Sequence, residues 1–390
     1  MWDGVIVGGG LAGLIAGIRS LERGKKVIII SEGTGSLTYS SGTFDFGDVE
    51  SLSKTAKHPY FYLSTSIIRD AFDYTLKLLP DYCGIWGNRE SIITPLGTLK
   101  STSLAPCSMI ADILKDTKRI VLIHPVGLKD FYPDLIIKNL KQTLLDINIS
   151  IRSIRVEHFG QWYQMEKNIP STDYAAYWRT DKGLRDLDRI IRNINDELAG
   201  SQQVVKTAVI FPGLVVDNKM SSLFSGLPFK VIEMVSFPPS PRGQHLFNEL
   251  KRIFKNLGGE IVVGASVTRI EADGNRCRRV IVNSKGHEIS LTGLVFVLAT
   301  GGIFGGGIKV TPTDANEEAF DLPLYVPDTW TKPEFIGDQP YTKIGVEVNH
   351  QLRPVYPLTE KQVFDNVIVI GRTMAHWDPW TENCGLVQVS

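Results

Sequence analysis

The chain carries no excess charge of either sign: Lys plus Arg and Asp plus Glu number 42 each. That balance excludes the electrostatic footprint of a nucleic-acid binder and a polybasic membrane-surface segment. An anionic ligand must therefore be met by local charge. Cysteine is scarce as well. Cys83, Cys107, Cys277 and Cys384 form no C-x-x-C pair, which excludes a zinc ribbon or an iron–sulfur binding run. We read all four as reduced, mostly buried thiols. No His pair has metal-ligand spacing, so no metal site is expected, and no G-x-S-x-G elbow offers an acyl nucleophile. No apolar run approaches the roughly 20 residues that a bilayer crossing needs. No basic stretch precedes the first apolar strand, and no repeat, charge block or low-complexity segment interrupts the chain. These absences predict a cytoplasmic protein that reaches a membrane only through a partner.

What is present begins at once. Gly4-Val5-Ile6-Val7 is a short apolar strand, followed directly by Gly8-Gly9-Gly10-Leu11-Ala12-Gly13, which has the spacing G-x-G-x-x-G. Gly8 suits a tight turn, Gly10 lets a pyrophosphate approach the backbone, and Gly13 lets the following helix pack on the strand. That helix ends near Arg23-Gly24, where glycine suits a left-handed cap. Residues 26–30 form a second buried strand, ending at Ser31-Glu32, where a carboxylate can accept hydrogen bonds from ribose hydroxyls. With glycine at 36 of 390 positions the motif alone is weak; its strand, helix, second strand and acid in register make it a nucleotide signal. Glu32 also disfavours a 2′-phosphate, so NADP is not the expected ligand.

The length of 390 residues predicts two lobes, or one domain carrying a large insertion. Thr38-Tyr39-Ser40-Ser41-Gly42-Thr43 is a small polar loop at the carboxyl edge of the first sheet, suited to facing a ligand. An ordinary polar loop is the competing reading. Residues 119–124 predict a strand, 133–145 a helix, and 147–156 a strand with a bulge at the phase slip of Arg152-Ser153. Leu184, Leu187, Ile191, Ile194 and Leu198 mark a further helix, and 204–211 a buried strand. Later, Leu246, Leu250 and Phe254 line a helix, 260–263 and 266–271 form strands around Gly264, and 294–298 run into Ala299-Thr300-Gly301-Gly302. Small residues there let the backbone pass close to a ligand. The last strand is 367–370, followed by Gly371.

Taken together the segments resemble the B-subunit family of anaerobic glycerol-3-phosphate dehydrogenases, within the fumarate reductase/succinate dehydrogenase-like flavoproteins. The likeness rests on 8–13, on Ser40-Ser41-Gly42, on Thr94-Pro95-Leu96-Gly97-Thr98 and the residues up to 102, and on Pro238-Pro239-Ser240 with Gly243. It continues through Gly306-Gly307-Ile308, Gly345-Val346, Leu352-Arg353-Pro354, and 366–371 with Asp378-Pro379. The resemblance implies an α/β, two-dinucleotide-fold flavoprotein: a discontinuous, Rossmann-like FAD-binding domain over 1–57 and 236–390, and an inserted α/β substrate or partner domain over 58–235. It implies cofactor contacts from Gly8, Gly10, Gly13, Glu32, Ser40, Ser41, Gly42, Val267 at the adenine, Thr300, Gly301 and Gly371. The family is commonly assigned FMN, whereas the residues describe a site for the ADP moiety of FAD; FAD is the expected cofactor and FMN the alternative. The partners it implies are a flavoprotein that oxidises glycerol 3-phosphate and an iron–sulfur protein that passes electrons to quinone.

Two departures stand out. FAD enzymes usually carry an acid after the last glycine, and here Arg372 takes its place. A closing helix at Asn383-Cys384-Gly385-Leu386 lacks the family's run of glycines. A phosphorylated substrate calls for cations, and Lys309, Arg353 and Arg372 lie in family-matching segments, with Lys100 a further candidate. His376 is the candidate base for a substrate hydroxyl. Solvated surface cations and a structural histidine are the competing readings. The implied activity is oxidation of glycerol 3-phosphate to dihydroxyacetone phosphate. Two other readings stay open: a fumarate-reductase-like or general FAD-dependent dehydrogenase acting on another small acid, and a scaffold protein of the complex with a degenerate flavin site.

Overall fold

The computed structural model describes residues 1–144, 147–154, 168–199, 206–214, 220, 222–334, 337–378 and 381–382. The chain forms two compact units, one of Met1–Leu37, Phe44–Leu78 and Phe247–Ser390, the other of Thr38–Thr43 and Leu79–Leu246. The expected boundaries are 57/58 and 235/236; by compactness the helix Thr65–Leu78 lies in the first unit and residues 38–43 and 236–246 in the second.

The first unit is built on strand β1 (Trp2–Val7), helix α1 (Leu11–Glu22) and strand β2 (Val27–Ser31). All five residues of β2 are buried, and Val5, Ile6 and Val7 of β1 are buried too. Such continuous apolar runs are what strands covered on both faces require. Each fully buried Val or Ile contributes about 1.5–3 kcal/mol relative to exposure. Glu260–Val263, β2, β1, the end of His287–Leu298 and Val367–Val369 lie side by side, all parallel. In chain order the strands build outward from β1 on one flank, then return to its other flank. That reversal makes the gap between β1 and His287–Leu298 a topological switch point.

His287–Leu298 is much longer than the expected 294–298. Its first half pairs antiparallel with Arg276–Ser284, which pairs in turn with Ala265–Asp273. Arg276–Ser284 escaped the sequence reading. Its signal was the turn of Lys285 and Gly286, which adopt φ 53° and 84°, the left-handed pair that a two-residue hairpin needs.

The second unit holds a four-stranded parallel sheet in the order Lys230–Glu233, Thr207–Phe211, Arg119–Pro125, Asn148–Ile154. Helix Pro133–Thr143 buries Ile136 and Leu140 with Ile120, Leu122 and Ile210. Helices Ser171–Trp178 and Asp181–Ala199 bury Trp178, Leu187 and Ile191 with Val121, Ile123 and Val209. Alternate residues of each strand thus face opposite helical layers, the doubly wound arrangement.

Two expectations are corrected here. The register from Arg119↔Asn148 to Pro125↔Ile154 is unbroken, so no bulge sits at Arg152-Ser153. The phase slip arises because Asn148–Ile154 is an edge strand, whose Arg152 pairs with Glu197 while Ile151 is 40% exposed. The cysteines are not all reduced: Cys83 and Cys107, 24 residues apart, form a disulfide. The antiparallel pairing of Tyr82–Cys83 with Ala105–Pro106 brings their Cα atoms to 5.0 Å, a closeness that spacing alone does not reveal. Cys277 is free and buried, which pushes its thiol up to about 11; Cys384 lies outside the described residues. Closing a loop of the length between Cys83 and Cys107 is worth roughly 3 kcal/mol. Under oxidising conditions Cys83→Ser should therefore lower the unfolding free energy by about that amount, while in excess dithiothreitol the two proteins should unfold alike; denaturant titration checks both.

Candidate functional site

A cleft opens at the switch point of the first unit, beyond the carboxyl ends of β1 and His287–Leu298. Its near wall is the glycine turn between β1 and α1. Gly8 has φ 115°, and a Cβ there would lie 2.1 Å from Ala299 O; a Cβ on Gly13 would lie 1.9 Å from Gly8 O. Both positions are glycine because protein backbone occupies the space. Gly10 is different: a Cβ there would meet nothing within 4 Å. Gly10 caps α1 without any side-chain hydrogen bond, and no acid occupies the first turn. The N–H groups that open the helix therefore face the cleft with their partial positive charge unanswered by a protein side chain.

The other walls come from three places. After β2, the Ser31 hydroxyl donates to Gly33 O at 2.6 Å and fixes the turn that carries exposed Glu32. Val267, buried, lines the cleft from Ala265–Asp273, next to a register irregularity. After His287–Leu298, Thr300 and Gly301 line it, and Gly301 N–H donates to Thr373 Oγ1 at 3.0 Å. Glu318 and Ala319 also border the cleft. They follow Glu317, a buried carboxylate that accepts from the N–H groups of Ala319 at 2.9 Å and Phe320 at 2.7 Å. Burial raises the Glu317 pKa, and those N–H groups oppose the rise. Thr373 and Glu317 are positioning groups that the sequence reading missed. Thr373 had a signal in its place just past the last strand's glycine, whereas Glu317 had none.

The cleft thus gathers Gly8, Gly10, Glu32, Val267, Thr300, Gly301 and Arg372, with Gly13 packed behind it. Arg372 is its one lining cation among the described residues, and its guanidinium is held by Thr342 O at 2.5 Å and lies 5.0 Å from the Trp377 ring centre. Gly371, with φ 66°, is buried and lines a separate groove with Ile15 and Met374. Ser40, Ser41 and Gly42 belong to the second unit, where Gly42 O accepts from Tyr82 Oη at 2.6 Å. Lys309 is exposed on a small hairpin with Asn316, and Arg353 N–H donates to Asn349 Oδ1. Of the four catalytic candidates, Arg372 and His376 both bond to the 342–343 backbone, Arg372 Nη2 donating to Thr342 O and His376 N–H to Lys343 O, whereas Lys309 and Arg353 make their described contacts elsewhere.

His376 sits apart from the cleft lining. Its Nε2 is 2.7 Å from Glu347 Oε1, Lys57 Nζ donates to Glu347 Oε2 at 2.9 Å, and the Tyr325 ring centre is 4.0 Å away. Burial lowers the His376 pKa below its ordinary 6.5, with Glu347 opposing. A lowered folded pKa contributes stability that is present above the unfolded value and lost as pH falls through the folded one. Wild type should therefore lose more stability than His376→Gln between pH 7.5 and pH 5, as read from denaturant midpoints. Equal losses would show that this imidazole does not carry the effect.

The sequence of the chain matches the description "FAD binding domain" over residues 3–158 and 192–387. The chain belongs to that family. FAD, the cofactor with an ADP moiety for the glycine turn to face, is thus the family's ligand, in preference to the FMN alternative. The FAD-binding chain is also similar to two curated proteins, each named as the B subunit of anaerobic glycerol-3-phosphate dehydrogenase. One, from Yersinia enterocolitica, is 27% identical over 413 residues, covering 98% of this chain and 94% of that protein. The other, from Haemophilus ducreyi, is 28% identical over 403 residues, covering 96% and 92%. Among solved structures, 3-ketosteroid delta1-dehydrogenase from Sterolibacterium denitrificans aligns with 77% of this chain and 48% of its own, at 12% identity and a TM-score of 0.35. The chain spans about half the length of that enzyme. No helix among the described residues is long and apolar enough to cross a membrane.

Proposed function

We propose that this chain is a flavin-dependent oxidoreductase subunit that holds FAD in the cleft of the first unit and takes part in oxidising glycerol 3-phosphate to dihydroxyacetone phosphate. The observation that carries the reading is Gly10. Its side-chain space is open while its neighbours' is filled, so its lack of a Cβ serves a ligand rather than the fold. FAD fits that cradle: the helix N-terminus and Gly10 would take the diphosphate, Glu32 the adenosine ribose hydroxyls, and the backbone at Val267 the adenine. Thr300, Gly301 and Arg372 would line the remainder. When bound, FAD supplies a two-electron acceptor for a carbinol hydride.

The near full-length similarity to proteins named as B subunits supports a role within a complex. Its partners there are a second flavoprotein, which oxidises glycerol 3-phosphate, and an iron–sulfur protein, with quinone as the final acceptor. Membrane attachment then runs through a partner, and the chain itself is cytoplasmic. Ser40, Ser41 and Gly42 are left out of the proposed cofactor shell, since they belong to the second unit. Of the substrate candidates, Arg372 is the best supported, being a fixed cation in the cleft. Purified chain, alone and with both partners, tests the role: glycerol-3-phosphate-dependent dye reduction should require this chain in the assembled setting. Full activity without it would reject the proposal.

A further inference from the structure

The topological rule that accounts for the first cleft applies independently to the second unit. There Arg119–Pro125 is followed by Asn148–Ile154 on one flank, then by Thr207–Phe211 on the other, with Lys230–Glu233 beyond it. The helices that make these two connections pack on opposite faces of the sheet. The segments leaving the carboxyl ends of Arg119–Pro125 and Thr207–Phe211 therefore diverge, and a crevice is expected between them. A cavity lies there, lined by Leu128 and Phe131 after the first of these strands, by Pro212 after the second, and by Met234 and Phe237 after Lys230–Glu233. None of these residues has a part in the proposed FAD site.

Its walls are set by the fold. Lys129 N–H donates to Ile169 O at 2.9 Å and Ile169 N–H to Gly127 O at 2.7 Å, tying the rim segments together. Met234 is 1% exposed and Leu128 9%, so the floor is apolar, while the half-buried rings of Phe131 and Phe237 flank it. The rim carries one cation and one anion, Lys129 Nζ lying 4.0 Å from Asp130 Oδ2, together with the hydroxyls of Ser171 and Thr172. A phosphate or carboxylate taken into such a cavity would need an unopposed Lys or Arg, and among the described residues the lining supplies none. An uncharged ring gains the apolar floor and the aromatic walls, and reaches the rim hydroxyls with a single polar atom.

We propose that this cavity is a second ligand site, for an uncharged, flat ring compound bearing one or two hydroxyl or carbonyl groups. The test uses the full chain and 2-naphthol at pH 7 as probe, followed by saturation-transfer NMR and by the probe's own fluorescence. Saturable binding is expected, unaffected by inorganic phosphate and retained in the Gly10→Val protein. Thr172→Trp, which places an indole at the half-buried mouth, should weaken binding at least tenfold while leaving the unfolding midpoint in place. Should that variant fail to fold, Phe237→Ala serves the same comparison. No saturable binding, binding untouched by a folded variant at the cavity, or displacement of the probe by phosphate would each overturn the proposal.

Discussion

Gly10→Val yields a folded protein that no longer retains FAD. The substituted Cβ projects into open cleft, so no protein atom need move to admit it. The stability cost is the loss of a favourable N-cap residue, about 1 kcal/mol, and the apoproteins should melt within a few degrees of each other. The added methyl groups stand where the ligand's diphosphate must come against the helix N-terminus. FAD affinity should fall by at least about 100-fold, equivalent to about 2.8 kcal/mol. Gly13→Val is the contrasting variant: its Cβ would collide with Gly8 O at 1.9 Å, and the protein should fail to fold rather than merely lose its cofactor. Fluorescence titration of apoprotein with FAD, alongside thermal melts, separates the two outcomes. A Gly10→Val protein that binds FAD normally would remove the main support for the proposed site.

Arg242→Met should cost about 3–5 kcal/mol, the range found when one member of a buried ion pair is removed and its partner left behind. Arg242 is 4% exposed and Glu233 1%. Arg242 Nε donates to Glu233 Oε2 at 3.1 Å, its Nη2 makes a further close contact to the same oxygen, and the Ser108 hydroxyl donates to that oxygen at 2.9 Å. Without the guanidinium, the carboxylate stays buried and loses its cation. The double variant Arg242→Met with Glu233→Leu should regain most of the loss, because well-packed apolar residues replace a buried pair at little cost. Denaturant unfolding of both proteins checks this. A double variant as unstable as the single one would contradict the assignment of the loss to the stranded carboxylate.

The first unit was legible because its chemistry is local. The glycine turn, the apolar β1 and β2 and the acid after them fall within about thirty residues, and each glycine answers a separate backbone demand. The strand Arg276–Ser284 is marked in the sequence only by the Lys285-Gly286 turn, since its apolar residues do not form the continuous run that a strand covered on both faces shows. Contacts set by distant parts of the chain were out of reach. The Cys83–Cys107 bond depends on two short strands meeting, and the placement of Arg372 depends on Thr342 and Trp377. His376 shows the same limit: the sequence offered it as a candidate base, while the contact of its ring with Glu347, and of Lys57 with that carboxylate's other oxygen, joins distant parts of the chain.

The central claim is that an open backbone cradle at the start of α1 is shaped for the diphosphate of FAD. Releasing bound flavin from the purified protein, after incubation with equal excesses of FAD and FMN, and identifying it by mass measures this directly. The account predicts FAD, at close to one per chain. Recovery of FMN alone, or of no flavin from a folded protein, would contradict it.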